Sequence, residues 1–285
     1  MNTAPIVYVN GQYMAAAQAS ISVFDRGFLF ADAVYEVTSV VRGRLVDHMA
    51  HLQRLQRSLA AIDLSLPLGM AELEAIQKEL VRRNALQEGI VYIQISRGAG
   101  LERHFLATAD SSPTVVVFTQ PAPLLQNPLA ARGLKVVTVE DTRWQRCDIK
   151  TVSLLAASLA KQQALAAGAD DAWFVSDGWV NEGSSNNAFI ITPDGTLVTR
   201  YLDSAILPGI TRAAVLRLAA EQGLQVEERA FSVQEAQTAA EAFSTGASAF
   251  VLPVVAIDGQ LIGDGQPGKL SLQLRALYTE LALQA

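Results

Sequence analysis

The chain has 285 residues, half of them hydrophobic and 18% charged, which suits a globular protein with one large core or two modest ones. A net charge of −6 without any Lys/Arg run argues against nucleic acid or an acidic membrane surface as a partner. The single cysteine, Cys147, excludes an intrachain disulfide and a multi-cysteine metal site, and fits a reducing compartment.

No basic n-region precedes the first strand pattern, and no apolar run approaches the roughly 20 residues of a membrane span. A cytoplasmic protein without targeting or spanning segments is therefore expected. Ile6–Val9 and Gln12–Met14 read as a hairpin about Asn10-Gly11, a strong two-residue turn signal. A strand pair is expected at Val34–Val41 and Leu45–Val46. Helical periodicity follows at Met49–Ile62 (Leu52, Leu55, Leu59) and Ala71–Asn84 (Leu73, Ile76, Leu80), and then two strand runs, Gly89–Ser96 and Thr114–Thr119. His48 and His51 share a helix face with no third ligand nearby, so a structural role is expected and no metal.

Gln120–Pro128 holds three prolines and reads as a linker. It divides the chain into a small α+β domain (1–119), an interdomain linker (120–128) and a larger α+β domain (129–285). In the latter, strands are expected at Lys135–Val139, Ala172–Ser176, Ala188–Thr192, Ala242–Ser244 and Phe250–Ile257. Helices are expected at 154–167, from about Thr211 through Ala219, from Val233, and at Lys269–Leu283. Strands and helices mixed with many hairpins favour α+β over a doubly wound sheet. No Gly-x-Gly-x-x-Gly joins a strand to a helix, so a dinucleotide fingerprint is absent.

Four short segments carry candidate chemistry. Lys150, one of five lysines, sits between Ile149 and Thr151-Val152. Burial disfavours the charged amine, and a neutral amine forms Schiff bases with carbonyls; the ordinary alternative is a lysine that snorkels to water. Leu207-Pro208-Gly209-Ile210-Thr211-Arg212 opens a helix, whose N-terminal amides suit an anion. Ser244-Thr245-Gly246-Ala247-Ser248 is a turn of small residues able to form an anion-binding nest. Glu182-Gly183-Ser184-Ser185-Asn186-Asn187 places one carboxylate beside a polar turn between two strands. Each has a plain structural reading as a cap or a solvated turn. Their combination and order match what pyridoxal 5'-phosphate needs: a lysine, an anionic partner for the ring nitrogen, and two amide-rich turns for the phosphate.

On these segments the chain resembles the fold-type-IV pyridoxal-phosphate enzymes along essentially its whole length. Phe24-Asp25-Arg26-Gly27, Tyr35-Glu36 and His51-Leu52-Gln53-Arg54-Leu55 add to the likeness, and Arg143–Lys150 is similar to the D-amino acid aminotransferase group. The resemblance implies a two-domain α+β fold. It makes Lys150 the catalytic lysine, carrying the cofactor and moving the substrate's α-proton. It assigns Glu182 to the ring nitrogen. Arg54, Leu207, Gly209, Ile210, Thr211, Gly246, Ala247 and Ser248, with Ser185 and Asn186, would hold the rest of the cofactor. Tyr35, Tyr92, Arg103 and His104 would bind substrate.

Branched-chain aminotransferases would be expected to carry Tyr-x-Arg-Pro where this chain reads Tyr92-Ile93-Gln94-Ile95-Ser96-Arg97-Gly98. The D-amino acid group would be expected to follow Arg-Gly with Arg-x-His. Here Arg103 and His104 are adjacent, and adjacent residues of an extended strand point to opposite faces. The expectation is a homodimeric transaminase moving the amino group of a D-amino acid to a 2-oxo acid. Aminodeoxychorismate lyase and branched-chain or (R)-amine transaminases are alternatives on the same scaffold.

Overall fold

The computed structural model of the protein describes residues 5–107 and 112–285. It divides into two compact units. The first comprises Met1–Pro123 with Ile149–Ser153 and the terminal Ala285, and the second Leu124–Asp148 and Leu154–Gln284.

The first unit contains β1 (Ile6–Val9), β2 (Gln12–Ala15), α1 (Arg26–Phe30), β3 (Ala33–Val41), β4 (Arg44–Leu45), α2 (His48–Ala60), α3 (Met70–Arg83), β5 (Glu88–Ser96) and β6 (Thr114–Pro121). Its sheet runs β2-β1-β6-β5-β3-β4 with antiparallel pairing. The expected first hairpin forms, and Asn10 and Gly11 take the positive φ (45° and 91°) that its tight turn demands. The alternation of β5 decides which face is covered. Val91, Ile93 and Ile95 are buried with Val34, Val40 and the apolar stripes of α2 (Leu52, Leu55, Leu59) and α3 (Leu73, Ile76, Leu80). Tyr92 and Gln94 face the other way and stay half-buried.

The second unit contains α4 (Pro128–Arg132), β7 (Leu134–Glu140), α5 (Leu155–Ala166), β8 (Asp171–Ser176), β9 (Trp179–Gly183), β10 (Asn187–Ile191), β11 (Leu197–Thr199), α6 (Ile210–Glu221), β12 (Val226–Glu228), α7 (Val233–Gln237), β13 (Glu241–Gly246), β14 (Phe250–Ile257), β15 (Gln260–Leu261) and α8 (Lys269–Gln284). Its mixed sheet runs β12-β11-β10-β13-β14-β7-β8-β9, with β15 paired to β14. The central strands β10 and β14 are buried throughout. Ala188 and Ile190 enter one core with Trp173, Phe231 and Val254, while Phe189 and Ile191 enter another with Phe243, Val215 and Leu274. A sheet covered on both faces explains the near-continuous apolar runs at 188–191 and 250–257.

The Pro-rich stretch read as a linker is partly ordered. Pro121 still pairs with Gly89 at the end of β6, and Pro128 opens α4 at a position where its missing N–H costs nothing. The segment around Lys150 groups differently from the expectation, with the first unit. Tyr35 N–H donates to the Lys150 carbonyl at 2.9 Å, Val152 N–H to the Ala33 carbonyl at 3.2 Å, and Lys150 N–H to Ser58 Oγ at 3.3 Å. Val34 and Thr151 form a bridge, and Ile149 is buried in the first core. This pairing joins residues more than a hundred positions apart, which punctuation by proline cannot reveal.

Candidate active site

In the first unit, β3 presents alternate residues to opposite faces. Tyr35 lies on the half-buried face, its ring stacked on Tyr92 (centroids 5.4 Å apart), and Tyr92 stacks in turn on Phe118 at 4.7 Å. The Lys150 amine lies 4.2 Å from the Tyr35 ring centroid, a cation–π distance. The Tyr92 hydroxyl donates to Gln94 Oε1 at 2.9 Å, and burial raises its pKa, with Tyr35 adding to the effect. Lys150, Tyr35 and Tyr92 are thus brought together with the lysine backbone pinned.

Glu36, the next residue, points into the core and is 1% exposed. Its carboxylate receives Arg54 Nε at 2.7 Å and Arg54 Nη2 at 2.8 Å, and His51 Nδ1 lies 2.8 Å away. Burial works to raise the Glu36 pKa, but the Arg54 guanidinium and His51 outweigh it and bring it down to about 2. His51 is accordingly structural, as is His48, whose Nε2 shares a hydrogen bond with Gln77. Arg54, read from sequence as a phosphate ligand, spends two of its nitrogens on Glu36, a fork-to-carboxylate pair that holds the guanidinium in one orientation. The clue was available in sequence: a glutamate inside an otherwise buried strand requires a cationic partner.

Glu36→Gln removes the counter-charge that Glu36 supplies to the buried Arg54 cation. It is expected to lower stability by about 3–5 kcal/mol at pH 7, measured by denaturant unfolding. Because the folded-state pKa is depressed from 4.5 to about 2, the pair's contribution is complete above the higher value. It is lost as pH falls through that window, so the gap between parent and variant should close there. Equal midpoints at neutral pH would show that the pair contributes nothing.

Arg103 and His104 lie on an exposed loop after β5. The Arg103 guanidinium sits 5.0 Å from the Phe30 ring and 5.2 Å from the Phe105 ring, and His104 Nδ1 accepts from Leu106 N–H at 3.2 Å. Arg26 holds the loop by donating to the His104 and Phe105 carbonyls at 2.7 and 2.9 Å.

In the second unit Glu182 lies near the end of β9, beside the polar turn 184–186. It is buried, and its Oε1 receives Arg143 Nη1 at 2.6 Å. Its Oε2 accepts from Asn187 Nδ2 at 2.9 Å and from Leu207 N–H at 3.0 Å. Arg143 is held in turn by Asp141 and lies over the Phe174 ring at 4.3 Å. Burial pushes Asp141 up, but the hydrogen bonds and charge of Arg143 hold its carboxyl below the usual range.

Asn187 organises the surrounding turns. Its Nδ2 also donates to the Leu207 carbonyl at 2.9 Å, and its backbone pairs with Thr245 across β10 and β13. A Cβ on Gly209 would collide with Asn187 Oδ1, so any larger residue there would displace the Asn187 side chain. Gly209 precedes α6 without a side-chain cap, leaving the first helical amides to other acceptors. Thr211 and Thr245 are each 2% exposed, and their hydroxyls have no hydrogen-bond partner among the described residues. Two buried hydroxyls without partners, beside an uncapped twelve-residue helix, fit a polar ligand such as a phosphate.

Of the other expected residues, Ser185 is exposed at the turn. Asn186 donates to Asp171 Oδ2 at 2.8 Å, and Ser184 Oγ donates to Asp171 Oδ1 at 2.5 Å, so these two brace the turn. A Cβ added at Gly246 would stand in ordinary contact with Asn186 Cβ, at 3.7 Å, and Ala247 and Ser248 lie in the turn between β13 and β14. Asn187 and Arg143 stand in segments that the sequence singles out, but without a role. A polar residue opening the apolar run Ala188–Ile191 was the available sign for Asn187; for Arg143 it was its place in the run 143–150. Burial pushes the Cys147 thiol up to about 11 against the pull of Arg143, and the thiol donates to the Trp144 carbonyl at 3.1 Å. A raised pKa disfavours the thiolate, the nucleophilic form. Among the described residues there is no cluster of His, Cys, Asp and Glu able to hold a metal, and no helix long and apolar enough to cross a membrane.

Comparison with known proteins gives concordant results. The family model described as Amino-transferase class IV matches residues 33–257. D-alanine aminotransferase of Bacillus licheniformis is 39% identical over 267 residues, covering 93% of this chain and 93% of that protein. The branched-chain aminotransferase of Thermoproteus uzoniensis, solved with norvaline, superposes with a TM-score of 0.87 at 26% identity, over 98% of this chain and 95% of that one. A hypothetical aminotransferase from Mycobacterium tuberculosis, solved in its PLP-bound form, superposes at 0.86 with 23% identity, over 98% and 99%, a likeness of fold.

Proposed function

The chain belongs to the class IV aminotransferases, which use pyridoxal phosphate to exchange an amino group between an amino acid and a 2-oxo acid, and on that premise we propose that its donor is a D-amino acid of the D-alanine type and its acceptor pyruvate or 2-oxoglutarate. The observation that carries the substrate reading is the 39% identity to D-alanine aminotransferase along 93% of the chain. The absence of Tyr-x-Arg-Pro from β5 agrees with it.

The cofactor, when bound, supplies an electron sink for the charge left at the substrate's α-carbon. We assign Lys150 Nζ to the covalent hold on the cofactor and to carrying the α-proton, as base and then as acid. Support comes from its pinned backbone and its place against the Tyr35 ring. Glu182 keeps the ring nitrogen protonated, its own buried charge compensated by Arg143. Ile210, Thr211, Thr245, Gly246, Ala247 and Ser248 receive the phosphate. The two unpartnered hydroxyls support this part of the assignment. Leu207 and Gly209 shape that site through Asn187, and Ser185, Asn186 and Arg54 are assigned to the cofactor as well. Tyr35, Tyr92, Arg103 and His104 orient the substrate carboxylate.

A homodimer in the cytoplasm completes the proposal. Phe28, Leu101 and Phe105, large apolar side chains left exposed on the first unit, support the second copy.

The test is the visible absorption of purified holoenzyme. Adding D-alanine is expected to bleach the band of the lysine-bound cofactor, and adding L-leucine to leave it. Bleaching by L-leucine alone would move the chain to the branched-chain group, and a band indifferent to both would point to the lyase or an amine donor. Sedimentation of the same sample should give a dimer, and cell fractionation should recover the protein in the cytosol; a monomer or a membrane pellet would remove the respective claim.

A further inference from the structure

Phe250, the first residue of β14, has φ +62° and is fully buried. The left-handed region is costly for a bulky side chain and persists only where the surroundings enforce it. One residue, Ala249, separates Phe250 from the Thr245–Ser248 turn, and the Ala249 N–H donates to the Gly246 carbonyl at 3.1 Å. Two side chains of α8 close on it. Tyr278 packs its ring edge-on against Phe250, centroids 5.0 Å apart. Arg275, three residues earlier on the same helix face, donates Nη1 to the carbonyls of Ala249 and Val251, both at 2.8 Å. Those carbonyls flank Phe250 on either side. Its Nη2 donates to the Leu124 carbonyl at 2.6 Å and the Leu125 carbonyl at 3.4 Å.

Arg275 is 7% exposed, and among the described residues its hydrogen bonds go to carbonyls and to no carboxylate. A buried cation without a counter-ion is expensive, so its retention needs a reason beyond filling space. Glu241 fixes the start of the helix by accepting from the Leu270 and Ser271 amides at 2.9 and 2.8 Å, which aims Arg275 from a rigid base. The planar fork of a guanidinium can serve several carbonyls in one geometry, and a lysine ammonium cannot do the same.

We infer that Arg275 is a positioning residue for the phosphate: by holding the carbonyls on both sides of Phe250 it keeps that residue left-handed and sets the direction in which the Thr245–Ser248 turn presents its polar groups. This rests on the reading of that turn as part of the phosphate site. Arg275 itself touches neither cofactor nor substrate in this account.

The experiment measures the affinity of apoenzyme for pyridoxal phosphate and for pyridoxal, which lacks the phosphate, in the parent chain and in Arg275→Met, Arg275→Lys and Thr245→Val. The ratio of the two affinities reads the phosphate site alone, whereas a loss of general stability moves both ligands together. Arg275→Met is expected to lower the ratio by about tenfold, the scale of one charge-assisted hydrogen bond, with Arg275→Lys in between. If Arg275→Met does not fold, Arg275→Lys carries the test with a smaller drop. A ratio equal to the parent's in the arginine variants, with a drop in Thr245→Val, would overturn the positioning role and leave the phosphate site standing. No drop in Thr245→Val either would show that the turn does not hold the phosphate, and would defeat the underlying reading and this inference together.

Discussion

Lys150→Ala is expected to abolish transamination, with turnover reduced by at least about 10³-fold, while the protein stays folded. Both halves of that outcome follow from the geometry. The contacts that place residue 150 run through its backbone, to Tyr35 and Ser58, and alanine keeps them. What disappears is the amine beside the Tyr35 ring and, with it, the assigned covalent hold and proton carrier. The visible band of lysine-bound cofactor should vanish from the variant, and its unfolding midpoint should stay close to the parent's, since substitutions outside cores and networks usually cost within about 0.5 kcal/mol. Substantial turnover by Lys150→Ala would remove the lysine from the mechanism.

The second large effect is expected at Glu182. Glu182→Gln replaces a carboxylate oxygen by an amide that donates, yet Arg143 Nη1, Asn187 Nδ2 and the Leu207 amide all approach Glu182 as donors. Whichever way the new amide turns, two donors face each other and Arg143 loses a compensating charge. A stability loss of about 1–3 kcal/mol is expected from the unsatisfied buried donors, with Asp141 still compensating Arg143. At saturating cofactor, kcat is expected to fall by about 10²-fold or more, the scale of removing one preorganised electrostatic partner from a reacting centre. The two readouts separate the roles. A destabilised variant with parental kcat at saturating cofactor would make Glu182 a structural ion-pair member and nothing more.

Much of this was legible along the chain, for physical reasons that are local. Asn10-Gly11 specifies its hairpin because those residues tolerate the positive φ a two-residue turn needs. The stripes Leu52-Leu55-Leu59 and Leu73-Ile76-Leu80 specify α2 and α3 because a 3.6-residue period lines one face. Lys150, Glu182 and the two small-residue turns stood out because each residue type is chemically conspicuous and their order matches one cofactor's needs.

What the chain did not disclose depends on partners distant in sequence. Lys150 joins the first unit through a bridge to β3, a pairing no local signal encodes. That Glu36 fixes two nitrogens of Arg54, and so orients the guanidinium, appears only once α2 packs on β3. Asn187 links Glu182, Leu207 and Thr245 because β10 and β13 pair in one register, and a register shift by one residue would turn its side chain to the other face. The left-handed Phe250 has no warrant in its own sequence, where glycine or asparagine would be expected, and exists because Arg275 and Tyr278 close on it from α8. Residue types and periods set the elements and named the chemistry; the orientation of each group was decided by contacts that exist only once the chain is folded.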